Sequence, residues 1–151
     1  MEKFDSVNDL MDFAVAKEEE SACLYTNLAQ RMQKLHMRQV FQDFAREELG
    51  HKAKLLAVKR EKLLAPVEQK IQDLRIADYL VDGEVRDDMD YQGALVLAMQ
   101  KEKASFKLYT HLAAATDNVR LRATLLNLAQ EEAKHKLRFE LEYDEVILKG
   151  N

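Results

Sequence analysis

Glu18, Glu48 and His51 recur as Glu102, Glu132 and His135, with the same offset of 84 residues each time. The surroundings repeat too: KEEESACLYTNLA at 17–29 matches KEKASFKLYTHLA at 101–113, and AREELGHK at 45–52 matches AQEEAKHK at 129–136. The two halves agree at roughly a third of aligned positions over 11–56 and 95–140, so internal duplication is expected. A duplicated chain must fold each half alike. It must also bring the same three polar residues to equivalent places twice.

The spacing around these residues is helical. Met11, Ala14, Glu18, Ser21, Tyr25, Leu28 and Met32 follow one another at intervals of three and four. Phe41, Phe44, Glu48, His51, Leu55 and Val58 do the same, as do Leu95, Ala98, Glu102, Ser105, Tyr109 and Leu112. Leu121, Leu125, Leu128, Glu132, His135 and Phe139 form the fourth stripe. Such stripes are the buried seams of packed helices. Ser6 is expected to cap the first helix and Asp90 the third, with a tight turn at Asp117-Asn118. Between 65 and 89 the pattern breaks around Pro66, Gly83 and a run of acids. This segment is expected to be a long crossover with a short helix near Ile71–Leu80. The predicted fold is therefore all-α: one domain over 1–151, with two helical hairpins (about 6–64 and 90–148) joined by that crossover. A long middle connection is the arrangement of ferritin-like four-helix bundles.

Composition agrees and narrows the function. One proline and four glycines in 151 residues favour long helices. A net charge of −4 gives no basic footprint, so nucleic acid is not an expected partner. No apolar run is long enough to cross a membrane, and the start lacks the pattern of a signal peptide. Cys23 is the single cysteine, which excludes an intrachain disulfide and fits a cytoplasmic, reducing setting.

The repeated acids fall on core positions. Glu48 lies between Phe44 and Leu55, Glu132 between Leu128 and Phe139, and Glu18 and Glu102 each follow an alanine by one turn. An isolated buried carboxylate is strongly disfavoured, and four converging ones also repel one another. Two divalent cations would balance four carboxylates, with His51 and His135 as further ligands. Adjacent acids are sorted by phase. Glu47 and Glu131 fall beside the seam, and Glu19 and Glu20 rotate by about 100° and 200° away from Glu18. The expected metal ligands are therefore Glu18, Glu48, His51, Glu102, Glu132 and His135, and substitution of Glu47 or Glu131 is expected to leave metal content unchanged.

Tyr25 and Tyr109 lie two turns beyond Glu18 and Glu102 on the same faces. Two readings stay open for them: core packing, or a hydroxyl hydrogen-bonded to a ligand carboxylate or a bound oxygen species. His111 is expected on the surface, His36 in the first interhelix turn, and Cys23 in a structural role. Met11, Met32, Met37, Met89 and Met99 are expected to serve packing rather than to bind haem, and Lys52 and Lys136 to sit in solvent or in surface ion pairs.

These repeated halves resemble the rubrerythrin branch of the ferritin-like diiron carboxylate proteins, over about residues 8–146. The resemblance implies that the six ligands hold two irons, that Glu48 and Glu132 bridge them, and that one histidine terminates each. It also implies a homodimer. Two departures are visible. The chain has no paired Cys-x-x-Cys of a rubredoxin-like domain, so electrons are expected from a separate donor such as a rubredoxin-type protein. Rubrerythrins also place a further Glu one turn from the third-helix ligand, where this chain has Ala98, Met99, Ser105 and Phe106.

The function expected first is a non-haem diiron oxidoreductase that reduces hydrogen peroxide or dioxygen. A ferroxidase or iron-handling protein and a diiron hydroxylase of an organic substrate are the alternatives. Oxygen-rich sites with one imidazole per metal suit iron or manganese, and zinc can replace them in purified protein.

Overall fold

The structure is a computed structural model that describes residues 7–60, 79, 81, 85 and 88–148. Four helices account for nearly all of these: α1 (Val7–Arg31), α2 (Leu35–Arg60), α3 (Tyr91–Ala115) and α4 (Val119–Leu148). There is no strand among the described residues. The expected cap at Ser6 and the helix near Ile71–Leu80 lie outside the described residues, apart from Tyr79.

Both ends of α3 and the start of α4 have local chemical reasons. Asp90 is extended and its carboxylate accepts from the Gly93 amide at 2.8 Å, which satisfies one of the orphan donors that open α3. Asn118 does the same for α4, accepting from the Leu121 amide at 2.9 Å. At the end of α3 the Arg122 guanidinium donates to the carbonyls of Ala113 and Thr116, satisfying acceptors that the helix leaves free. Turns of three residues follow α1 and α3, so the partners in each hairpin run antiparallel.

α1 packs chiefly on α2, and α3 on α4. The hairpins then meet through α1 against α3 and α2 against α4. Two apolar clusters result. One is aliphatic apart from Tyr79 and Tyr109, and gathers Leu10, Met11, Leu55, Leu112, Leu121, Leu125 and Leu128. The other is rich in aromatic rings and gathers Tyr25, Phe41, Phe44, Tyr91, Leu95 and Phe139. Burying each large side chain contributes about 1.5–3 kcal/mol. Every helix passes from one cluster to the other, and between them each contributes its repeated polar residues. The polar site therefore sits mid-bundle with an apolar plug at either end.

His36, His111 and Cys23 depart from the sequence expectations, while the methionines and the two lysines follow them. His36 is the second residue of α2 rather than part of the turn, and pairs with Glu142 at 3.2 Å. His111 is partly buried and hydrogen-bonded to Tyr79 at 2.8 Å, because Tyr79 packs over a face that helical phase alone leaves open. Cys23 is exposed, so it does not help fill the core. Met11 and Met32 are in the core, with Met37, Met89 and Met99 against it. Lys52 pairs with Glu19 at 2.6 Å, and Lys136 with Glu140.

Candidate metal centre

The six repeated residues are deeply buried: Glu48 and Glu132 are 0% exposed, Glu18 and Glu102 1%, His51 3% and His135 7%. Their helices bring them together in two overlapping groups. Ligand atoms of Glu18, Glu48, His51 and Glu132 all lie within 4.8 Å of one another, and so do those of Glu48, Glu102, Glu132 and His135. Glu48 and Glu132 belong to both groups. The imidazoles lie nearly parallel, with ring centroids 5.5 Å apart.

Both histidines turn Nδ1 inward. His51 Nδ1 is 2.5 Å from Glu132 Oε1, and 3.7 and 3.8 Å from oxygens of Glu18 and Glu48. His135 Nδ1 is 3.0 Å from Glu48 Oε1 and 3.5 Å from Glu102 Oε1. The outer nitrogens meet the two acids that helical phase placed beside the seam: His51 Nε2 is 2.6 Å from Glu131, and His135 Nε2 is 2.8 Å from Glu47. Sequence reasoning missed these contacts. The signal available was the doubling of Glu in both Glu-Glu-x-x-His segments.

Tyr25 on α1 donates to Glu102 Oε1 at 2.6 Å, and Tyr109 on α3 donates to Glu18 Oε1. Burial, reinforced by Glu102 for Tyr25 and by Glu18 for Tyr109, pushes both phenols well above their usual range. They therefore stay protonated and act as donors. Of the two readings open from sequence, the geometry shows the hydroxyl on the carboxylate, alongside the packing.

The charge balance of the cluster is unfavourable without a cation. Burial and the neighbouring Glu102 push Glu48 and Glu132 well above the ordinary carboxylate range. Burial alone would also raise Glu102, but the neighbouring Glu132, the His135 imidazole and the Tyr25 hydroxyl outweigh it and hold this carboxyl lower. Burial would lower His51, yet Glu18 and Glu131 outweigh that and raise it. Glu131 itself is held below the ordinary range: burial opposes this, but His51 and Lys54 prevail.

Among the described residues, six buried side-chain atoms make no hydrogen bond of good geometry, the close contact of His51 Nδ1 with Glu132 included: Glu18 Oε2, Glu48 Oε2, His51 Nδ1, Glu102 Oε2 and both oxygens of Glu132. Buried polar atoms are almost always satisfied, so six orphans at one point call for a ligand. All six are lone-pair donors or can become so, which is the chemistry of cation binding. The residues present therefore fit a pair of metal ions, and an oxygen-rich set with one imidazole per group suits iron or manganese.

The rubrerythrin family model matches residues 9–143, from the first turns of α1 to near the end of α4. The chain belongs to the rubrerythrin family. A crystal structure of a Thermotoga maritima protein described as ferritin-like and diiron-carboxylate superposes with a TM-score of 0.78. That protein is 20% identical, with 96% of this chain and 99% of that one covered, and the likeness carries the ferritin-like fold. No curated protein sequence matches. Among the described residues of this rubrerythrin-family chain, no helix is long and apolar enough to cross a membrane.

Proposed function

We propose that this chain is a non-haem diiron oxidoreductase that reduces hydrogen peroxide or dioxygen with electrons from an external donor such as a rubredoxin-type protein. The observation that carries the proposal is the sharing of Glu48 and Glu132 between two buried four-residue groups. A cluster built for one ion has no use for two imidazoles and four acids arranged in this way. Glu18 and His51 would hold one ion, Glu102 and His135 the other, and the shared carboxylates both. Two irons held there would each supply one electron to a two-electron reduction, which is the chemistry the protein itself lacks.

The chain's own residues supply the setting. Tyr25 and Tyr109 fix one oxygen each of Glu102 and Glu18, leaving the second oxygen of each carboxylate free of hydrogen bonds. The phenols hold their protons tightly at Oη, so they orient the carboxylates rather than deprotonate. The aliphatic and aromatic clusters close both ends of the bundle against water. A cleft of about 430 Å³ opens on the α2–α4 side and reaches His51 and His135, which makes it the way in for a small oxidant.

The test is anaerobic loading with iron(II), followed by stopped-flow absorption with peroxide and with oxygen in parallel. Rapid oxidation by one of them, with one equivalent of peroxide consumed per loaded chain in that arm, is the expected result. A loaded protein that stays reduced under both would overturn the proposal.

A further inference from the structure

We propose that Glu47 and Glu131 are positioning residues that hold His135 and His51 with Nδ1 turned into the carboxylate cluster, each acting across the boundary between hairpins. Resting as it does on the reading of the cluster as a metal centre, the proposal concerns which imidazole nitrogen faces the metal.

Glu47 and Glu131 each precede a shared carboxylate by one residue, and one residue is about 100° of rotation. That step takes the side chain out of the core and into the groove between α2 and α4. There Glu131 Oε2 lies 2.6 Å from His51 Nε2, and Glu47 Oε2 lies 2.8 Å from His135 Nε2. A carboxylate can only accept, so each contact requires a proton on Nε2. With that proton in place, the neutral imidazole must present its lone pair at Nδ1, the atom that faces the carboxylates. Carboxylates on the far nitrogen of a ligand histidine fix its tautomer and ring orientation in this way.

The exchange is reciprocal. The first hairpin supplies Glu47 to a histidine of the second, and the second supplies Glu131 to a histidine of the first. One hairpin alone would have ligands but nothing to aim its imidazole. The two contacts differ in support: Lys54 lies 3.3 Å from Glu131, whose side chain is 33% exposed, while that of Glu47 is 56% exposed. Loss of Glu131 is therefore expected to have the larger effect.

This revises the expectation from sequence that neither acid affects metal content. An ordinary surface ion pair would contribute almost nothing to metal binding. The experiment uses the full-length chain in two forms. In metal-free protein labelled with nitrogen-15 histidine, proton NMR should show protected Nε2–H signals for both His51 and His135. Glu131→Ala should abolish the His51 signal alone, and Glu47→Ala the His135 signal alone. Glu131→Gln and Glu47→Gln should retain them, because an amide oxygen also accepts from Nε2–H.

Optical titration with cobalt(II) gives the second readout. The wild type should bind two ions, and each Ala variant should weaken one of them by about 10- to 100-fold. The Gln variants should stay close to wild type. Ala variants with unchanged imidazole signals and unchanged cobalt affinity would overturn the proposal, as would Gln variants no better than Ala. A wild type that takes up no cobalt, yet shows the expected NMR pattern, would overturn the metal reading and leave the positioning contacts established.

Discussion

Tyr25 on α1 and Glu102 on α3 are joined by a 2.6 Å hydrogen bond between hairpins, donated by a phenol that burial keeps protonated. Tyr109 and Glu18 form the reciprocal bond, so the two helices that contribute no histidine to the site are tied twice through its acids. Tyr25→Phe and Tyr109→Phe keep the packed ring and remove only the donor, leaving a buried carboxylate oxygen unsatisfied. Each is expected to destabilise the metal-free protein by about 1–3 kcal/mol, as read by urea denaturation. Stability equal to wild type in both variants would show that the phenols only fill space.

The metal-free protein should lose stability as pH rises from about 5 to 8. Glu48 and Glu132 have folded-state values above the ordinary 4.5, so between the two values the folded chain holds protons that the unfolded chain has released. His51 is raised above 6.5, so its contribution is present below that value and is lost as pH rises through the folded one. Glu102 is lowered and acts in the opposite sense, but only as pH falls below the ordinary carboxylate value of 4.5. Metal binding displaces these protons and strengthens with pH, so the loaded protein should melt higher than the metal-free form and the gap should widen towards pH 8. Melting curves of both forms check this. A metal-free protein that gains stability over the same range would contradict it.

Asp90→Ala should cost about 0.5–2 kcal/mol through loss of the cap on the Gly93 amide. The cap lies at the start of α3, away from the six ligands, so metal stoichiometry should not change. Thermal melts and metal analysis on the same variant separate the two effects. A variant that loses metal at unchanged stability would show that this end of α3 reaches the site.

Much of this was legible because a duplicated helix pattern carries phase. Phase places Glu18 and Glu48 on buried seams, and the repeat then places Glu102 and Glu132 on theirs. It also sets Glu47 and Glu131 off the seam, correctly. What phase cannot supply is the neighbour across a groove, and so their contacts with the opposite histidines were not visible. The same limit explains His111: its angle on α3 is opposite Glu102, but Tyr79 packs there from the connection. Nor does the exact repetition of Tyr25 and Tyr109 reveal that one stands among Phe41, Phe44 and Phe139 while the other stands among leucines. Those surroundings come from positions where the two halves of the sequence differ.

The sharing of Glu48 and Glu132 is tested most directly by counting bound metal in single variants, with anaerobic iron(II) titration followed by elemental analysis. The wild type is expected to hold two ions per chain. Glu18→Ala and Glu102→Ala each remove a group's private acid and should lose one ion first. Glu48→Ala and Glu132→Ala each strike both groups and should lose both. A wild type with no stoichiometric metal, or variants of Glu48 and Glu132 that still hold two ions, would contradict a centre built on those two shared carboxylates.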